Sequence, residues 1–326
     1  MLRLARGRVT QAGDATAAEQ QLTVELADGP HAAIADTALV GPAQPGDEVL
    51  VNTSARELDL GSGGFDIVHA NLTRGLDRAP DAQDHVLKLN YTSLQHQVHP
   101  LEAELPDELP PLAGWPVAVL ALHTQLAPVA WAFHEAAPAL RLGYVQTPGG
   151  ALPASRSRTA ATLRRQGLLA AHTTAGQAFG GPDGDALSTA GALAHAFTAA
   201  GWHAAITGPG PGIQGSASAL GHGGLAALDS AHAALALGLE VILVPRVSEA
   251  DPRARHRGVS HHTRTVLSLL LAPVTVPLEG DADLDGYARS GLPADLMGRS
   301  LQLEAPFFTA ALASGAVLAS RAAALA

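Results

Sequence analysis

Over roughly the first hundred residues, apolar and polar positions alternate in short runs, the period of half-buried strands. The runs are Leu2 to Thr10, Gln21 to Leu26, Ala32 to Val40, Glu48 to Thr53 and Phe65 to Asn71. Turn signals separate them, among them Asp28-Gly29-Pro30, Pro45-Gly46-Asp47 and Gly61-Ser62-Gly63-Gly64. This spacing predicts a small antiparallel β domain, barrel-like or sandwich-like, over residues 1–104. Residues 105–116 hold four prolines and two acids and read as a linker.

From residue 117 to the end at 326 the rhythm changes. Val117 to Leu122, Leu142 to Thr147, Ala170 to Thr174, His203 to Thr207, Val241 to Val244 and Val274 to Leu278 are brief apolar runs. All but the last pair are separated by enough chain for a helix, and Ala186 to Ala200 and Ala217 to Leu237 are alanine-rich with helical periodicity. A final helix is predicted from Pro306 to Ala324. Strand and helix alternating in this way predict an α/β domain: a doubly wound, mostly parallel sheet joined by right-handed crossovers.

Composition narrows the function. The chain has 326 residues, 47% hydrophobic and 15% charged, with no cysteine. Cysteine chemistry is therefore excluded: no disulfide scaffold, thiolate nucleophile, iron–sulfur cluster or cysteine-rich zinc site. The opening MLRLARGRVTQAGD lacks the apolar core of a secretory signal, and no run is long enough for a membrane span. The expectation is a soluble, cytoplasmic protein without a membrane partner. A formal net charge of −10 argues against general nucleic-acid binding, which rests on cations neutralising phosphates. High alanine content and modest surface charge suggest a homo-oligomer such as a dimer.

The cations are uneven. Lys88 is the only lysine, so nineteen of the twenty basic residues are arginine. Nine of these fall in two segments: Arg156, Arg158, Arg164 and Arg165, then Arg246, Arg253, Arg255, Arg257 and Arg264. Arginine's planar fork suits bidentate binding of carboxylate or phosphate.

Ligands of open parallel sheets bind beyond the carboxyl ends of the strands. Those ends lead into His123-Thr124-Gln125, then Thr147-Pro148-Gly149-Gly150 with Ser155-Arg156-Ser157-Arg158, and then Gly176-Gln177. The fourth and fifth lead into the Gly208, Gly210, Gly212 and Gly215 loop and into Pro245-Arg246. Hydroxyls, glycines and helix N-termini are parts of an anion site, and each is also an ordinary turn or cap residue. Gly210 to Gly215 fits G-x-G-x-x-G, but two prolines interrupt the loop and no acid closes the following strand, so a dinucleotide is weakly indicated. No cofactor is identified.

The densest chemistry runs from Glu249 to Thr263. His256, His261 and His262 are candidate acid–base groups beside an arginine anion site. Alternatively they hold a metal with Glu249 or Asp251, although the spacing matches no metal motif and the nearby arginines oppose a cation. A nucleophilic Ser260 lacks the G-x-S-x-G elbow, and a solvated loop capping the next helix is the plain alternative. The leading expectation is that Arg156, Arg158, Arg253, Arg255 and Arg257 meet a small phosphate- or carboxylate-bearing metabolite. The Gly208–Gly215 loop would cradle it while a histidine moves protons. Two alternatives stand beside this: a non-catalytic ligand sensor or assembly module, and a His/carboxylate metal-dependent hydrolase.

Several motifs carry a family resemblance: Lys88-Leu-Asn-Tyr91-Thr92-Ser-Leu94-Gln95, Gln125-Leu-Ala-Pro128-Val129, Gly150-Ala-Leu152-Pro153, Thr174-Ala-Gly176-Gln177-Ala-Phe179-Gly180-Gly181 and Asp251-Pro252-Arg253-Ala-Arg255-His256-Arg257-Gly258-Val-Ser260-His261-His262. Together they resemble the bacterial family catalogued as domain of unknown function 3866, over nearly the whole chain. The resemblance implies a similar length and motif order and brings no activity, cofactor or catalytic residue to these positions. Gly61 to Asp66 departs from the family pattern, in which Thr and aromatic residues are common at this turn.

Overall fold

A computed structural model describes residues 2–58, 64–74, 84–216 and 218–326. The chain divides into two compact units, Met1–Gln97 and Val98–Ala326.

In the first unit the alternating segments form β1 (Leu4–Ala12), β2 (Glu19–Leu26), β3 (Gly29–Asp36), β4 (Glu48–Asn52) and β5 (Asp66–Asn71). They close into a barrel in the order β1-β2-β3-β5-β4, with β4 returning to β1. Alternation places Val9, Leu22, Val24, Ala33, Ala35, Val49, Val51 and Val68 inside, and closure removes the exposed sheet edges. One pair departs from the expected antiparallel pattern. Because β4 pairs with β1, β5 falls beside β3 and runs parallel to it. The end of the predicted Ala32–Val40 strand is instead a helical turn, α1 (Thr37–Val40), whose first amides are capped by the Asp36 carboxylate. A second turn, α2 (Ser54–Glu57), and a two-stranded ribbon, β6 (Val86–Lys88) with β7 (His96–Val98), complete the described elements around the barrel strands. The predicted turn at Gly61-Ser62-Gly63 lies outside the described residues.

The second unit contains the parallel sheet: β8 (Pro116–Leu120), β9 (Leu142–Thr147), β10 (Ala171–Thr174), β11 (Ala204–Pro209) and β12 (Glu240–Val244). Its order is β10-β9-β11-β8-β12, and every neighbouring pair is parallel. The interior strands are buried throughout and mostly apolar, as covering on both faces requires. One face packs on α3 (Leu126–Ala136), α4 (Arg158–Arg165) and the long C-terminal helix, and the other on α5 (Thr189–Thr198) and α6 (Ala226–Ala236). The sheet is thus doubly wound, as the alternating pattern predicts.

Val274–Leu278 does not become a sixth full strand. Pro273 precedes it and Pro277 interrupts it, and it keeps only a parallel bridge from Thr275 to Ile242. Beyond β12 lie the ribbon β13 (Val247–Ser248) with β14 (Gly258–Val259), α7 (His261–Leu269) and α8 (Leu284–Arg289). The hairpin β15 (Asp295–Leu296) with β16 (Arg299–Ser300) follows, and then α9 (Ala305–Ala323). No helix among the described residues is long and apolar enough to cross a membrane.

Candidate functional site: a histidine cluster beside an arginine-lined cleft

All five strands of the parallel sheet run the same way, so the loops that follow them gather at one edge. Close backbone packing binds these loops together. A Cβ on Gly150 would fall 2.3 Å from the Gly210 carbonyl oxygen, and one on Gly149, at φ +110°, would fall 2.5 Å from that of Gly223. Glycine is needed at both positions so that loop can touch loop. Ser157 caps α4 by accepting from the Ala160 amide, and its hydroxyl meets Nε2 of His123 at 2.9 Å. The Tyr144 hydroxyl donates to the Gly208 and Pro209 carbonyls at 3.0 Å, so its oxygen is left to accept from Nδ1 of His123 at 3.3 Å. Both nitrogens of His123 are engaged, and burial depresses its pKa to about 4 against the opposing pull of the Pro209 carbonyl.

Beyond β12 the chain is tied to the start of α7. The Arg246 amide donates to the Thr263 hydroxyl and the Ser260 amide donates to the Arg246 carbonyl, each at 2.8 Å. Ser260 is the N-cap of α7, which puts His261 and His262 in the first helical turn. There the helix dipole opposes imidazolium.

Four imidazoles meet at this point. His222, from the loop between β11 and α6, stacks on His262 with ring centroids 3.8 Å apart and an interplanar angle of 13°. His261 lies 4.4 Å from the His262 ring, and His256 lies 4.7 Å from His261 and 4.9 Å from His262. Ring nitrogens of His222, His261 and His262 converge to within 4.8 Å of one another. His222 is 7% exposed, and neither of its ring nitrogens has a hydrogen-bond partner of good geometry among the described residues. Nε2 of His261 is also buried without a partner. Burial holds all four below the usual histidine range, helped by the Arg246 charge; His256 falls to about 3. The rings are therefore neutral at pH 7, the state a metal ligand needs.

Next to the cluster, Asp251 gathers arginines. Its carboxylate accepts from Arg246 at 3.0 Å and from Arg253 at 2.9 Å through two nitrogens, with Arg299 at 3.6 Å. Asp251 is 0% and Arg246 3% exposed, so this is a buried ion network rather than a solvated surface pair. Arg299 continues to the buried Glu304, which also accepts from Ser248. Arg246 also donates to Nδ1 of His262 at 3.3 Å. Two arginines of the predicted anion site, Arg246 and Arg253, are thus neutralised by Asp251. Arg253 is held by Asp251, and the exposed Arg257 donates through Nε to the Asp251 backbone carbonyl. Arg255 is exposed and makes no hydrogen bond or ion pair with another described residue.

A cleft of about 360 Å³ opens over these groups. Of the residues singled out in the sequence it takes in His123, Gly212, Gly215, Arg246, Arg253, Arg255, His256 and His262. Gly149, Gly150, Ser155, Arg156, Arg158, Gly176, Gln177, Gly208, Gly210, Arg257 and His261 are not in its lining. Gly208 and Gly210 are packed on Leu120 and Gln146. Nδ1 of His256 is bonded to Ser260 at 2.8 Å, so the partner of Ser260 is a histidine four residues back rather than an adjacent one. His222 is the site residue that sequence reasoning misses. It lies far from the 249–263 segment in a glycine-rich loop, and only its histidine identity could have marked it.

Fold and site define a class: an α/β protein whose parallel sheet carries histidines and arginines, suited to a small charged ligand, at its carboxyl edge. The chain belongs to DUF3866, described as a protein of unknown function, whose family pattern it matches over residues 32–288. No curated protein and no solved structure matches it.

Proposed function

We propose that the protein is a metal-dependent hydrolase of a small phosphate- or carboxylate-bearing metabolite. The supporting observation is the convergence of His222, His261 and His262, with the His222 ring buried and unpartnered. Three neutral imidazoles would suit a divalent zinc-type ion, which would supply a bound water of lowered pKa. Asp251 makes this cation tolerable by offsetting Arg246. Because Nδ1 of His262 accepts from Arg246, the unliganded ring carries its proton on Nε2; a metal held at Nδ1 would replace the Arg246 contact, and one held at Nε2 would require the proton to move to Nδ1, so that contact is given up either way. Arg255 and the outer edge of Arg253 line the adjacent cleft and would meet the anionic group.

The test is hydrolysis of p-nitrophenyl phosphate and p-nitrophenyl acetate by metal-stripped protein and by protein reloaded with zinc or manganese. Turnover is expected only after reloading, and the His222→Ala variant is expected to lose at least about tenfold, the scale of a disrupted metal site. Equal rates with and without metal, or in His222→Ala, would overturn the reading. Metal uptake without any turnover would favour the non-catalytic sensor.

A further inference from the structure

The cleft is lined by residues of two unlike kinds. Arg253, Arg255 and His256 give it charged and polar lining, while Ile213 and the hairpin residues Leu296 and Met297 are apolar lining residues. Met297 is unusual in two respects. It is 64% exposed although large and apolar, and its backbone is left-handed at φ +53°. It occupies the first turn position between β15 and β16, followed by Gly298 at φ +78°. Two-residue turns of this kind favour Asn, Asp or Gly. A methionine there costs backbone energy for little burial, so folding alone does not account for it. Its side chain is nevertheless directed: the sulfur lies 3.6 Å from a guanidinium nitrogen of Arg253, which lines the same cleft. The hairpin base is fixed, because Arg299 is tied to Asp251 and Glu304.

We propose that the metabolite carries an apolar body next to its anionic group, and that the Met297 hairpin tip clamps this body while Arg253 and Arg255 hold the anion. This rests on the hydrolase reading for the identity of the cleft. An unbranched thioether adapts to ligand shapes, which suits an alkyl or aryl ester better than a small fully polar one. The half-buried Ile213, in the same lining, would add further apolar surface to that body.

The experiment compares two non-hydrolysable probes, phenylphosphonate and methylphosphonate, by calorimetric titration into metal-free protein, so that neither metal nor turnover is needed. Phenylphosphonate is expected to bind roughly tenfold tighter, the scale of burying one aromatic ring. In Met297→Gly, which removes the clamp and relieves the backbone, that advantage should fall below about threefold, with methylphosphonate binding unchanged. Equal binding of the two probes to wild type would overturn the clamp while leaving the anion cleft intact. If neither probe binds, the anion cleft itself fails and the clamp falls with it. A loss of both affinities in Met297→Gly would show a structural role and likewise contradict the proposal.

Discussion

Replacing Asp251 with Asn is expected to destabilise the second unit by about 3–5 kcal/mol, the scale of breaking one side of a buried ion pair. Asp251 is fully buried, with Arg246, itself 3% exposed, held against it. Burial alone would raise the carboxyl pKa. The hydrogen bonds from Arg253 and the fields of Arg253 and His256 outweigh it and hold the group well below the usual carboxylate range. The amide keeps the shape but removes the charge, leaving Arg246 and Arg299 with fewer counter-charges in a region where Nε of Arg246 already lacks a partner. Urea unfolding should show a lower midpoint in Asp251→Asn. A change below about 1 kcal/mol, typical of an exposed pair, would mean that the network is solvated and that Arg246 is not the neutralised cation described above.

The second large effect is acid sensitivity. His123 and His172 are buried, and their pKa values fall to about 4 and about 3, chiefly through burial, with the His123 and Arg164 charges adding to the shift at His172. In the unfolded chain both return to about 6.5. Below that pH the unfolded state binds protons that the folded state does not, so stability is full above about pH 6.5 and declines as pH falls toward 4. Each histidine adds up to about 1.4 kcal/mol per pH unit, giving a combined slope on the order of 2–3 kcal/mol per unit. Asp251 adds a further loss below about pH 4, because a depressed carboxyl pKa stabilises only above its unfolded value. Melting temperature measured from pH 8 to 4 should be level and then fall steeply. His172→Gln should flatten the descent, whereas an unchanged slope would show that this ring is not held neutral by folding.

The two fold patterns were legible in the sequence because hydrophobic period follows burial directly. Alternation in Gln21–Leu26 marks a strand with one face inside the barrel, and the continuous apolar run Val117–Leu122 marks one covered on both faces. Val274–Val276 is also β-branched and mostly apolar but is stopped by its flanking prolines. The edge loops were legible as a group, since parallel strands must deliver them to one edge. Their individual roles were not. Whether Gly150 approaches a ligand or the Gly210 backbone is decided by tertiary packing. The Asp251 acid is only two residues from Arg253 in the chain, yet local spacing does not reveal that it buries its charge against Arg246 and Arg299 as well. The histidine cluster was half visible: His256, His261 and His262 are close in sequence, while His222 joins them only through the fold.

X-ray absorption at the zinc edge of zinc-treated protein addresses the proposed metal centre most directly. One tightly bound zinc per chain with three imidazole nitrogens at about 2.0–2.1 Å is predicted, the distance typical of histidine-ligated zinc. His222→Ala should lose one imidazole from that shell. No zinc uptake by the intact chain, or a shell of oxygen ligands without imidazole, would contradict a metal centre at His222, His261 and His262.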